Sequence, residues 1–144
     1  MRVEQVVDVR ASAERVWGVL ADLRGWPAWT ASMREVSPLR AGPVEPGLRV
    51  RVVQPRLPPV VWTVDEAVPG RSFRWSSRGP GVTTVGDHVV EPTATGCRVT
   101  LSLVQTGPLA PLSRLLIGRL TRRYVGMEAA GLQARCEAGP RPDR

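Results

Sequence analysis

Apolar and polar residues alternate from Val3 to Val9. From Ser12 onward the spacing becomes helical, with Val16, Trp17, Val19, Leu20 and Leu23 on one face. Ser12 is placed to cap this helix by accepting from a free N–H of its first turn, and Glu14 complements the dipole there. Gly25 ends the helix. Pro27 suits the first position of a second short helix, where its missing N–H would have no partner in any case. The resulting corner carries Trp26-Pro27-Ala28-Trp29. Beyond it, residues 35–39, 48–54, 60–68, 72–77, 83–91 and 97–105 alternate again and are separated by Gly-Pro and Pro-Gly breakers, so that with residues 3–9 the chain predicts seven strands.

A period of two assigns faces. Leu48, Val50 and Val52 oppose Arg49 and Arg51, as expected of an antiparallel strand with one face buried. By the same parity Val60, Trp62, Val64 and Glu66 share a face, as do Phe73, Trp75 and Ser77, while Cys97, Val99, Leu101 and Leu103 oppose Arg98, Thr100 and Ser102. Gln5 shares the parity of Val3, Val7 and Val9. After Gly107-Pro108, the residues Leu109, Leu112, Leu116, Leu120, Tyr124, Met127 and Gly131 recur in steps of three or four, which predicts one long amphipathic helix reaching Cys136. The tail at 139–144 lacks apolar content and helix propensity and is expected to be disordered.

The chain has 144 residues, which suits one domain with a substantial core, expected over 1–138. No apolar run approaches the ~18 residues of a membrane span, and no signal-peptide pattern precedes the first strand, so a cytoplasmic protein is expected. The net charge is +7, yet all 20 basic residues are Arg, with Lys and Asn absent, a bias typical of GC-rich coding. The densest group, Arg114, Arg119, Arg122 and Arg123, lies on the last helix without a nucleic-acid-binding motif, so no nucleic-acid partner is expected. Cys97 and Cys136 lack the number or spacing of a disulfide framework or a zinc site, and with a single histidine no metal or other cofactor is implied. Ser-His-Asp, Gly-x-Gly-x-x-Gly and Gly-Lys-Ser/Thr arrangements are missing.

The order of strand, two short helices, six strands and a long helix resembles the helix-grip fold of the START/Bet v 1-like (SRPBCC) superfamily over nearly the whole chain. The segments that carry the resemblance are Val9 to Trp17, the Asp22-Leu23-Arg24-Gly25-Trp26-Pro27-Ala28-Trp29 corner, Val64 to Arg71, and Thr106-Gly107-Pro108. The nearest likeness is to the polyketide cyclase/dehydrase branch. It implies an α+β architecture in which a curved seven-stranded antiparallel sheet wraps around the C-terminal helix. It also implies an apolar cavity between the two, binding a small hydrophobic polyketide-, lipid- or aromatic-like molecule.

Within that fold the lining candidates are Trp26, Trp29, Trp62, Phe73, Trp75, Leu101, Leu103, Leu120 and Met127. Five Trp against one Phe and one Tyr favour flat aromatic guests. His88, the only histidine, is a candidate acid or base, or else a structural hydrogen-bonder. Glu66 on an apolar face would have a raised pKa and act as a proton donor, unless it turns to water at the strand end. Tyr124 offers a hydroxyl to a ligand carbonyl, and Gln5 is a further inward hydrogen-bonder. Two functions remain open: cyclisation or dehydration by acid–base chemistry and positioning, or carriage and sensing of a lipid, quinone or other metabolite. An acyl carrier protein is the macromolecular partner that the enzyme reading implies, with a monomer or homodimer otherwise.

Overall fold

The computed structural model describes residues 1–138; the tail expected to be disordered lies outside them. The elements follow in the order β1 (Arg2–Val9), α1 (Ala13–Ala21), a 3-10 helix (Leu23–Ala28), β2 (Glu35–Pro38), β3 (Arg49–Val53), β4 (Val60–Val68), β5 (Ser72–Gly79), β6 (Val82–Thr93), β7 (Gly96–Thr106) and α2 (Ala110–Glu137). All seven strands form one antiparallel sheet in the order β1-β7-β6-β5-β4-β3-β2. Helix α2 packs on β1, β7, β6 and α1, giving the helix-grip arrangement.

Local chemistry explains the elements. Ser12 Oγ accepts from Arg15 N at 3.1 Å and caps α1, which buries Val16 and Leu20. The corner departs from the expected pair of α-helices. Its second piece is a 3-10 helix that runs straight on from Asp22, with Gly25 and Pro27 inside it and Gly25 N bonding Asp22 O at 3.1 Å. A tight turn of this kind swings Trp26 fully into the core, where its indole Nε1 donates to Leu20 O at 3.0 Å and closes the angle with α1.

Two sequence-derived faces change. Between Val64 and Glu66 the pairing of β4 with β5 shifts register, and this bulge turns the alternation over. Asp65 and Glu66 are both exposed, and Ala67 packs toward the core instead. Gln5, despite its parity, is exposed on β1. On α2 the buried face consists of Ala110, Gly118, Thr121, Tyr124, Val125, Ala129, Leu132 and Cys136, and of the expected stripe only Tyr124 belongs to it. Leu112 and Leu116 are 48% and 71% exposed. Repeated steps of four advance the azimuth by ~40° each, so a Leu112–Leu116–Leu120–Tyr124 row winds around the helix rather than facing one direction. The core face is fixed instead by small residues that allow close approach.

The two halves of α2 are held differently. Near its C-terminus Arg15 Nε donates to Cys136 O at 2.9 Å and Arg15 Nη2 to Arg135 O at 3.2 Å, placing a cation on the last carbonyls. Gln133 Nε2 donates to Asp8 O at 2.9 Å, and Glu137 accepts from Arg10 N at 2.8 Å. Gly131 lies against the Trp corner so closely that a Cβ there would fall 2.0 Å from Trp29 O. Replacing Gly131 with Ala is therefore expected to lower the thermal midpoint by several degrees, a loss of about 2 kcal/mol or more. Calorimetry giving a midpoint equal to or above that of the parent would remove this contact as a constraint.

Candidate functional site

A cluster of rings fills one part of the concave side of the sheet. Trp26 is flanked by Trp29 (centroids 5.4 Å apart), Trp75 (5.5 Å) and His88 (5.6 Å), and Phe73 stacks on His88 at 4.1 Å and 11°. Trp62 and Trp75 stack at 5.3 Å and 27°, and with them the cluster ends. Beyond these two indoles lies a cavity of about 150 Å³, walled by Trp62, Trp75, His88, Leu101 and Leu103 from the sheet and by Ile117, Thr121, Tyr124, Val125 and Glu128 from α2. Met33 and the residues Gln54 and Leu57 of the β3–β4 connection also line it, as do polar residues of the sheet that include Ser77, Thr84, Ser102 and Gln105. That volume is about what a single benzene ring needs and lies below the ~300 Å³ at which drug-sized pockets begin.

Space for the Trp75 indole is made by a residue with no side chain. Gly86 is the cross-strand partner of Trp75, and a Cβ on it would stand 2.9 Å from the indole Nε1. The ring lies over β6, where any other residue would force it to shift.

Of the residues singled out from sequence, Trp62, Trp75, Leu101, Leu103, Tyr124 and His88 meet around the cavity. Trp26, Trp29 and Phe73 belong to the ring cluster behind its wall. Leu120 and Met127 are half-buried on α2 outside the lining. Glu66 sits on the outer face beyond the β4 bulge, exposed and 3.5 Å from Arg74.

The polar groups have distinct states. His88 is buried, and its Nδ1 bonds Phe73 O at 3.3 Å; a carbonyl only accepts, so Nδ1 carries the proton and Nε2 is a lone-pair acceptor. Burial lowers its pKa to about 4, against the opposing pull of the Phe73 carbonyl and of Asp87, and the ring is neutral at physiological pH. Tyr124 is buried and donates its hydroxyl to Pro55 O, which latches the β3–β4 connection, with Arg56 at φ +70°, across the cavity.

Sequence reasoning missed Glu128. It stands one turn after Tyr124 on the cavity side of α2, and what surface it keeps faces the cavity. Desolvation raises its pKa to about 8, outweighing a long hydrogen bond of 3.5 Å from Ser32 Oγ that favours the ionised form. It is therefore a neutral carboxylic acid at pH 7. Ser32 is itself buried and shares a 2.7 Å hydrogen bond with Thr30. The available signal was the row Thr121, Tyr124, Val125, Glu128 and Leu132, in which an acid occupies a core-facing step of the helix. At the opposite end Gln105 Nε2 bonds Thr84 Oγ1 at 3.4 Å and Gln105 Oε1 accepts from Ser113 at 3.1 Å, forming a polar end wall. Cys97 and Cys136 are free and buried, and burial raises both thiol pKa values. No group of three or more His, Cys, Asp or Glu able to hold a metal occurs among the described residues.

A seven-stranded sheet gripping one long helix, with a cavity between them, defines a START/Bet v 1-like helix-grip protein. The family model for polyketide cyclase/dehydrase and lipid transport matches residues 1–137, and the chain belongs to that family. Similar solved structures include the Zhui aromatase/cyclase from Streptomyces sp. R1128, at 20% identity over 95% of this chain and 93% of that one, with a TM-score of 0.77. TTHA0849 from Thermus thermophilus is 24% identical over 96% and 98% of the two chains, with a TM-score of 0.75. A START superfamily protein from Mycobacterium smegmatis is 16% identical over 95% and 97%, with a TM-score of 0.73. At these identities the likeness is one of fold. No curated protein matches the chain. No helix among the described residues is long and apolar enough to cross a membrane.

His88 and Glu128 give opposite pH dependences. His88 titrates near 4 when folded and near its ordinary 6.5 when unfolded, so the unfolded chain binds more protons between these values and stability is lost as pH falls from about 6.5 to 4. Glu128 titrates near 8 when folded and near 4.5 when unfolded, so stability is highest below 4.5 and is lost as pH rises toward 8. Glu128→Gln is expected to remove the loss of stability between about pH 6.5 and 8 and, because the two windows overlap with opposite sign, to steepen the rise from about 4.5 to 6.5 in a pH series of denaturation midpoints. An unchanged alkaline limb would show that Glu128 is ionised in the native protein.

Proposed function

We propose that the protein binds a small apolar molecule carrying a carbonyl or hydroxyl group in this cavity and promotes its cyclisation or dehydration through Glu128. The single observation that carries this reading is a carboxylic acid kept protonated in a cavity between α2 and two tryptophans of the sheet, with no cation to pair it among the described residues. With Ser32 donating to Oε2, Oε1 bears the proton and is the group offered to a ligand oxygen. In a ring closure, the enol carbon of the guest adds to a carbonyl carbon whose oxygen takes the Glu128 proton, and the enol O–H proton returns to the carboxylate; in loss of water, the departing hydroxyl takes the Glu128 proton as the C–O bond breaks, and the carboxylate takes the proton of the adjacent carbon. Neutral His88 accepts from a ligand hydroxyl through Nε2 and sets the ring's orientation. Glu66, on the outer face, and Tyr124, engaged with Pro55, play no part in proton transfer here.

The family to which the chain belongs and the shared fold of a named aromatase/cyclase support the enzyme reading. A second reading, carriage without chemistry, is favoured by the Tyr124–Pro55 latch, which fits retention of a guest. A guest larger than one ring requires that latch to open.

The readings separate in one set of measurements. Acetophenone and ethylbenzene are similar in size and differ in the carbonyl, so Glu128→Leu is expected to weaken the ketone about ten-fold by calorimetric titration and leave the hydrocarbon unchanged. On a β-hydroxy aryl ketone, Glu128→Gln is expected to slow dehydration by about a hundred-fold at retained affinity, and the parent rate is expected to fall above pH 8. Dehydration no faster than in buffer, with ketone binding intact, leaves carriage alone. Failure to bind either aromatic overturns both readings. Tyr124→Phe is expected to speed ligand release several-fold in stopped-flow measurements without changing which ligand is preferred.

A further inference from the structure

The first half of α2 holds a surface that the cavity does not use. Leu109, Leu112, Leu115 and Leu116 are 45%, 48%, 80% and 71% exposed, an unusual concentration of apolar surface at one end of the molecule. On the helix, Leu115, Leu112 and Leu116 span roughly 100° of azimuth, and Arg119 and Arg123 continue the same arc toward the C-terminus. At ~1.5 Å per residue the arginines sit roughly 5–15 Å along the axis from the leucines. None of Arg114, Arg119, Arg122 and Arg123 forms an ion pair among the described residues, in contrast to Arg2, Arg10, Arg40, Arg51, Arg74 and Arg98. No Asp or Glu occurs anywhere in 92–127. On the sheet some arginines are paired and others, such as Arg49 and Arg78, are not, whereas around the leucines all four are unpaired among the described residues and no acidic residue stands among them in sequence.

We propose that this end of α2 docks reversibly on an anionic lipid bilayer, the leucines entering the acyl boundary and the arginines meeting phosphate and other acidic headgroups. The spacing matches the ~5–10 Å depth to which interfacial helices immerse their apolar side, with cations one to two turns behind. A second copy of the chain is a poor occupant, because apposing two such faces brings four unpaired arginines against four. Helix α2 is tied at both ends, by Arg15, Gln133 and Glu137 near its C-terminus and by Leu109 N on Gly81 O at 2.9 Å and Ser113 on Gln105 in its first turn, so the leucines are held on a fixed platform. Ile117 and Thr121 line the cavity from the opposite side of the same stretch of helix, so the docked helix stands between the cavity and the lipid surface. Docking of this kind does not depend on which molecule the cavity takes.

Sedimentation of the full chain with vesicles tests the proposal. Binding to phosphatidylcholine vesicles containing phosphatidylglycerol is expected to exceed binding to phosphatidylcholine alone by about ten-fold and to weaken with added salt. Leu115→Ser combined with Leu116→Ser is expected to lower binding to the anionic vesicles about ten-fold at an unchanged thermal midpoint, and Arg119→Gln with Arg123→Gln to erase the preference for anionic lipid. Equal binding to both vesicle types, binding that ignores the leucine pair, or no binding at all would overturn it. So would a micromolar dimer in analytical ultracentrifugation that the leucine substitutions dissociate, since the face would then belong to a second copy.

Discussion

The buried indole of Trp26 is the constraint on which the rest of the molecule depends. Its Nε1 bond to Leu20 O fixes the angle between α1 and the 3-10 corner, and its faces hold Trp29, Phe73, Trp75 and His88 in one ring cluster. Burying large rings contributes more per residue than most aliphatic choices, and the Trp26 N–H finds its acceptor in Leu20 O, whereas the buried Nε1 of neighbouring Trp29 has no partner among the described residues. With Trp26 so held, the cluster plugs one part of the sheet's concave side. The unfilled remainder is thereby displaced toward Trp62, Trp75 and the middle of α2.

The cavity gains its chemistry from the same displacement. Helix α2 approaches closely where Gly131 meets Trp29 and more loosely around Thr121 and Glu128. A carboxyl group in the looser zone is removed from bulk water without being paired to a cation, and neutralisation is the least costly response. His88 reaches a comparable end by a different route. Its ring is stacked and desolvated, and its one committed nitrogen is pinned to a carbonyl. Both groups are neutral near pH 7, one offering a proton and the other a lone pair.

Strands were legible because each carries β-branched or aromatic residues at alternate positions between turn formers, as in Arg49-Val50-Arg51-Val52. The corner was legible from Gly25 and Pro27, although its tight 3-10 path was not, since a 3-10 turn and the start of an α-helix use the same residues. Parity failed at Glu66 because a bulge leaves no mark in a period-two pattern. It failed on α2 because the densest leucines lie on the outside, whereas the core face mixes small or polar residues such as Gly118 and Thr121 with Tyr124, Val125 and Leu132 and so forms no leucine stripe. Glu128 escaped for the same reason: an acid reads as a solvated position unless the helix's azimuth is already known. Trp62, Trp75, Leu101, Leu103, Tyr124 and His88 needed only the sheet's alternation or the helix's general position to be brought together.

Gly86 has a consequence for how such a pocket diversifies. The indole opposite occupies the room a methyl group would have taken, so the width available to a guest is governed by an atom that is missing from the wall itself. A lineage could widen or narrow its guest's berth by exchanging bulk across that one strand pair, leaving every proton-bearing group where it stands.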